Sequence, residues 1–115
     1  MTKTLLNNHI NQFNHILTVV KGHDVNQFGG FYGFTKYVAY MVDLLAEDLQ
    51  ENAGEYVANY ENSEYYETHE QECETWHELS AIISNVHNDI INNDLSKCLQ
   101  AIDYLAIIKP FDLIH

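Results

Sequence analysis

His69, Cys73 and His77 stand at four-residue intervals, and their side chains are of the kinds that bind metals or act as nucleophiles. On one helix they share a face, with Glu70 and Glu74 beside them. Imidazole and thiolate are ligands that zinc accepts, and His87 offers a fourth. The spacing works against the full set. Eight residues of helix cover about 12 Å, too far for all three to reach one ion at about 2.0–2.3 Å. At most an i,i+4 pair serves, completed from another helix by His9 or His15. Alternatively, His69 and Cys73 belong to an apolar stripe beside Trp76, as a buried histidine and thiol.

Other chemistries find less. A Cys73/His77 nucleophile pair rests only on a shared helical face. Glu74 and His77 form one Glu-x-x-His pair, but a di-iron bundle uses two. Tyr66 stands three residues before His69 and Ser84 three before His87, so the second is missing nearby. The Gly29–Gly33 segment, GGFYG, lacks the Lys-Ser/Thr pair that follows the last glycine of a phosphate loop. No hydrolase elbow, zincin or dinucleotide fingerprint is present. These absences point away from an enzyme, and no cofactor is expected.

Carboxylates are the more telling group. There are 17 acids against 5 lysines, with no arginine, for a net charge of −12. Twelve of the acids fall between Asp43 and Glu78, and no Lys or Arg occurs between Lys36 and Lys97. Glu64, Glu67, Glu70, Glu74 and Glu78 repeat at steps of three and four, which places them on one side of a helix. Such a row runs about 21 Å at about 1.5 Å per residue. Glu47, Glu51 and Glu55 repeat at four-residue steps one helix earlier. Each like-charge pair at this spacing costs about 0.2–0.5 kcal/mol. Several together cost on the order of 1–3 kcal/mol, a noticeable part of a typical stability of roughly 5–15 kcal/mol. A sequence that keeps this cost gains from it if the array binds something positive. The residues expected to do so are Glu47, Asp48, Glu51, Glu55, Glu61, Glu64, Tyr65, Glu67, Glu70, Glu74 and Glu78. Tyr56, Tyr60 and Tyr66 lie among them, either as cation–π partners or as a seal on the core edge.

The elements that must carry these residues are helices. Leu5, Leu6, His9, Ile10, Phe13, Ile16, Leu17 and Val20 make one face of a first helix, capped by Thr2 or Thr4 and ended by Gly22. Residues 22–34, broken by Gly29, Gly30 and Gly33 and carrying four aromatics, read as a loop that folds back on the core. A second helix is expected from about Thr35, its N-cap, to Ala53, with Tyr37, Val38, Met41, Leu44, Leu45 and Leu49 inward. Gly54 is expected to end or bend it, with residues 55–60 as a further helical turn or a kinked extension. A third runs from about Ser63 to Ile91 on a stripe of Tyr66, His69, Cys73, Trp76, Leu79, Ile83, Val86 and Ile90. The last begins after Asp94, uses Leu95, Cys98, Leu99, Ile102, Leu105 and Ala106, and closes at Pro110. The tail, Phe111 to His115, is expected to pack irregularly. The expected fold is all-α: a single-domain bundle, residues 1–115, of about four amphipathic helices with an aromatic Gly-rich loop between the first two.

At 115 residues the chain suffices for one core without staples. With 46% hydrophobic residues it is no disordered acidic tail. No apolar run approaches a bilayer span, and the N-terminus lacks the apolar centre of a signal peptide, so a cytoplasmic location is expected. Cys73 and Cys98 are then expected to be thiols, with a disulfide still open. The charge disfavours direct nucleic-acid binding and anionic membranes.

In size, charge and helical content the chain is similar to small acidic inhibitors: nuclease immunity proteins, and the anti-restriction and anti-CRISPR proteins of phages. The likeness carries no motif and so supplies no residues. It implies a nucleic-acid mimic that occupies the basic site of a nuclease or effector complex. Two other readings stand beside it. One is a self-associating module, a homodimer for instance, that uses Phe28, Phe31 and Tyr32 while the acids only solubilise. The other is a metal-binding bundle.

Overall fold

The computed structural model describes residues 2–22, 29–92 and 94–115. Its first element, α1 (Thr2–Gly22), follows from the N-terminal apolar stripe. Leu6, His9, Ile10, Phe13, Ile16, Leu17 and Val20 are buried along it, and Leu5 is half-buried. Thr2 and Thr4 lie inside the helix and do not cap it. The Thr2 hydroxyl donates to Glu55 Oε1 at 2.8 Å and accepts from Asn59 Nδ2 at 2.8 Å, which ties the start of α1 to a later helix.

The second helix, α2 (Phe31–Glu51), begins four residues before the expected Thr35. Gly29 and Gly30 take φ of 78° and 104°, conformations that only glycine adopts freely, and the helix winds directly after them. Phe31, Tyr32 and Phe34 are therefore helical, and Thr35 is no cap: it is buried and donates its hydroxyl to the Tyr32 carbonyl. The rest of the supposed loop, including Phe28, lies outside the described residues. Phe34, Val38, Val42, Leu45 and Leu49 face the core. Leu44 does not; it is 42% exposed.

Both of the longer acidic helices are interrupted, so six helices replace the expected four. After α2 the chain breaks at Asn52, rather than at Gly54, and restarts as α3 (Ala53–Glu61). Asn62 then caps α4 (Ser63–Thr68), its side chain accepting from the Tyr65 amide at 3.1 Å. At His69 (φ −133°, ψ 38°) the helix breaks again before α5 (Glu70–Ile90). His69 is consequently exposed, Tyr66 and Trp76 are half-buried, and the stripe proper is Cys73, Leu79, Ile82, Ile83, Val86 and Ile90. Asp94 caps α6 (Leu95–Ala106) as expected, accepting from the Ser96 amide at 2.9 Å. Leu95 is 60% exposed, and α6 ends four residues short of Pro110.

One buried cluster runs from Leu6 to Ile114 and joins α1, α2, α3, α5, α6 and the tail. Helices α2 and α5 are antiparallel: Asp43 meets His87 at 2.8 Å, and Leu49 and Gln50 line a groove with Trp76 and Ser80. The tail packs by a specific device. Asn14 donates to the Phe111 carbonyl and accepts from the Phe111 amide, both at 2.9 Å. Asn7 repeats this on Ile114, at 2.9 and 2.8 Å. Cys73 and Cys98 are buried free thiols. Among the described residues no helix is long and apolar enough to cross a membrane.

Candidate functional site

The antiparallel pairing places the acid-rich end of α2 beside the acid-rich start of α5, with α3 and α4 joining them. Four helices and their junctions thus bring the acids of residues 47–78 toward one end of a molecule measuring 49 × 26 × 20 Å, while Asp43 pairs with His87 near the far end of α5. Glu47, Glu51, Glu55, Glu61, Glu64, Glu67, Glu70, Glu74 and Glu78 are all exposed. Asp48 is half-buried. The expected row of five is not straight, because the break at His69 leaves Glu64 and Glu67 on α4 and the other three on α5. Lys21, Lys36 and Lys97 sit near the helix ends remote from α3 and α4. Among the described residues the close acid–base contact is His87 with Asp43; no lysine pairs with a carboxylate. The Lys36 ammonium lies 4.8 Å over the Tyr32 ring, and Lys21 donates to the Ile108 carbonyl. Lys3 is the cation nearest this end, lining a cavity with Glu70 and Glu72 without pairing with either, so the negative end is not neutralised by ion pairs and its field extends into solvent.

Aromatic rings brace this end from within. Tyr56 stacks on Trp76 at 5.5 Å, Tyr60 stacks on His77 at 5.1 Å, and Tyr66 meets Tyr60 edge-on at 5.5 Å. Tyr66 also donates its hydroxyl to Glu74, which pushes the phenol up to about 12. Of the two expected roles for these tyrosines, Tyr56 takes the structural one. It is 2% exposed, and its hydroxyl shares a 2.8 Å hydrogen bond with His9 Nδ1. Burial holds His9 below its ordinary 6.5, against a smaller opposing pull from Asp48.

The His/Cys/His row is not assembled as a ligand set. His69 Nδ1 lies 2.8 Å from the Thr68 hydroxyl and 3.1 Å from the Tyr65 carbonyl. Cys73 is buried against the Asn59 carbonyl, and burial raises its thiol, with Glu72 and Glu74 adding to the effect. His77 is taken up by Tyr60. Among the described residues no group of three His, Cys, Asp or Glu side chains is placed to hold a metal ion.

Tyr65 departs most from expectation. It is half-buried rather than displayed, its ring stacked flat on His69 at 4.0 Å. The turn at His69 lets its hydroxyl donate to Glu72 Oε2 at 2.9 Å, and burial together with that bond raises the phenol. Glu72 was absent from the expected binding set, yet it is the unusual acid. It is 5% exposed, and its second oxygen, Oε1, has no hydrogen-bond partner. A buried carboxylate oxygen left without a partner is costly, and the positive N-terminus of α5 offsets that cost only in part. Helical phase holds the missed signal: Glu72, Trp76, Leu79 and Ile83 step by four, three and four, so Glu72 sits on the inward stripe.

In comparisons with known protein families, curated proteins and solved structures, nothing matches the chain.

Proposed function

We propose that the protein is an acidic binder that docks its negative end on the nucleic-acid-binding surface of a basic protein and blocks it. A nuclease or effector complex is the partner class, and a nuclease immunity or phage anti-defence role is the setting. The observation that carries this reading is the set of nine exposed carboxylates gathered from α2, α3, α4 and α5 without a lysine partner. Concentrated charge of one sign steers a partner of the other and disfavours nucleic acid itself as the target. The half-buried rings of Tyr60 and Tyr66, which share an open cavity with Glu61 and Glu67, supply flat surfaces on which Arg or Lys can rest.

The test is binding to such a partner with salt and nucleic acid as variables. Affinity should fall steeply between about 0.05 and about 0.5 M salt, as screening shortens. Nucleic acid should compete, and the combined Glu67→Lys, Glu70→Lys and Glu74→Lys variant should lose binding while keeping its helical circular dichroism. Affinity indifferent to salt would sink the reading.

A further inference from the structure

Beside the acid-rich end lies a second feature with a different chemistry. A cavity of about 570 Å³ opens between the start of α1, the α4–α5 turn and the C-terminal tail. Its walls include Tyr65, His69, Glu70, Glu72 and Ile114. The stacked Tyr65 and His69 rings provide a flat aromatic wall. Glu72 provides a carboxylate that is 5% exposed and held at one oxygen by the Tyr65 hydroxyl, while Oε1 is without a partner. Glu70, exposed, stands at the rim and belongs also to the acidic array, so the cavity is continuous with the proposed docking end.

We infer that this cavity is a socket for an arginine side chain presented by the basic partner, with Glu72 Oε1 as the buried acceptor. The inference rests on the proposed function for the source of the arginine. A guanidinium suits the walls in two ways. Its plane lies flat against an aromatic ring, and its fork of donors reaches Oε1 and a second acceptor such as Glu70 together. An ammonium is a point charge and leaves the flat wall unused. The cavity also explains a placement that costs stability in the free chain: a buried carboxylate half satisfied by Tyr65 becomes fully satisfied once a cation enters. Lys3 lines the same cavity and is the internal competitor that any test must separate.

The experiment is an amide-resolved NMR titration of the full chain with N-acetyl-arginine amide at about 0.15 M salt, where exposed charges are largely screened. Parallel titrations use the citrulline and lysine derivatives. The expected result is a saturable response centred on Tyr65, His69, Gln71 and Ile114 with arginine, weaker with lysine and absent with citrulline. Glu72→Gln, nearly the same shape, should abolish it and keep the fold; Glu78→Gln should leave it intact. A response that survives Glu72→Gln, that spreads evenly over the acidic residues, or that is equal for lysine overturns the proposal. So does a silent wild type beside a Lys3→Gln variant that titrates, which would assign Lys3 as the resident partner. Because the probe needs no partner protein, failure here leaves salt-dependent partner binding untouched, and failure of the docking reading leaves the titration untouched. In the complex, Glu72→Gln should weaken affinity about tenfold at every salt concentration, whereas the triple lysine variant loses binding altogether.

Discussion

The trunk and the acidic end of this molecule are built on different terms. In the trunk, α1, α2, the second half of α5 and α6 each commit an apolar face to one core, and Leu6, Ile10, Phe13, Val38, Leu45 and Leu79 are wholly buried. At the other end α4 buries no residue and α3 buries only Tyr56. That end is held by stacked rings, by Thr2 bridging Glu55 and Asn59, and by the Tyr65–Glu72 bond. One region is stabilised by removing apolar area from water; the other spends stability on unneutralised charge. The contrast teaches that the acidic end depends on the trunk for its shape and gives back to the core little besides Tyr56.

This division can be tested from its strongest side first. Phe13, wholly buried and edge-on to Phe111 at 5.4 Å, belongs to the trunk. Phe13→Ala should cost about 3–5 kcal/mol in urea unfolding, enough to threaten the whole fold. An effect below about 1 kcal/mol would mean that the trunk is not the stabilising half. The boundary between the regions is the His9–Tyr56 bond. His9 is held below 6.5 by burial, so the unfolded chain binds the proton more readily. The His9 contribution to stability should therefore be constant above 6.5 and fall as pH drops from 6.5 through the lowered folded value. His9→Gln should flatten that limb of the profile, measured as urea midpoint against pH. The smallest effect belongs to the acidic end. Glu78→Lys turns a like-charge pair with Glu74 into an opposite one and should stabilise by about 0.4–1 kcal/mol, a gain that shrinks in high salt. A loss of stability there would show that the acids serve the fold.

How far the sequence announced this structure differs between the same two regions. In the trunk, of the eight α1 positions that periodicity named, seven are buried and Leu5 packs half-buried against the core, because apolar burial and helical phase agree. The Asp94 cap was legible for the same local reason. At the acidic end the pattern misled. Neither Asn52 nor His69 is a strong breaker, so the reading set the end or bend of α2 at Gly54, two residues late, and ran α4 into α5. The acids were found as a group, since composition needs no geometry. Their arrangement was not, because the turn at His69 redirects Tyr65 from display to Glu72. Glu72 itself was passed over because a charged residue suggests solvent, although its helical phase pointed inward. The tail was expected to pack irregularly, and only the folded chain reveals Asn7 and Asn14 as its partners.

Those two asparagines also work as a ruler. They are seven residues apart on α1, about 10.5 Å at 1.5 Å per residue. The residues they grip, Phe111 and Ile114, are three apart, and three residues of extended chain measure about 10 Å. A helix has no free edge with which to pair a strand, but two carboxamides set at this interval offer the donor and acceptor of two ladder rungs. The match in length tolerates no slippage, since a shift of one residue along the tail moves it by about 3.3 Å and breaks all four bonds together. The tail is thereby indexed to the helix, and the position of Ile114 in the cavity wall is set by counting residues rather than by shape alone.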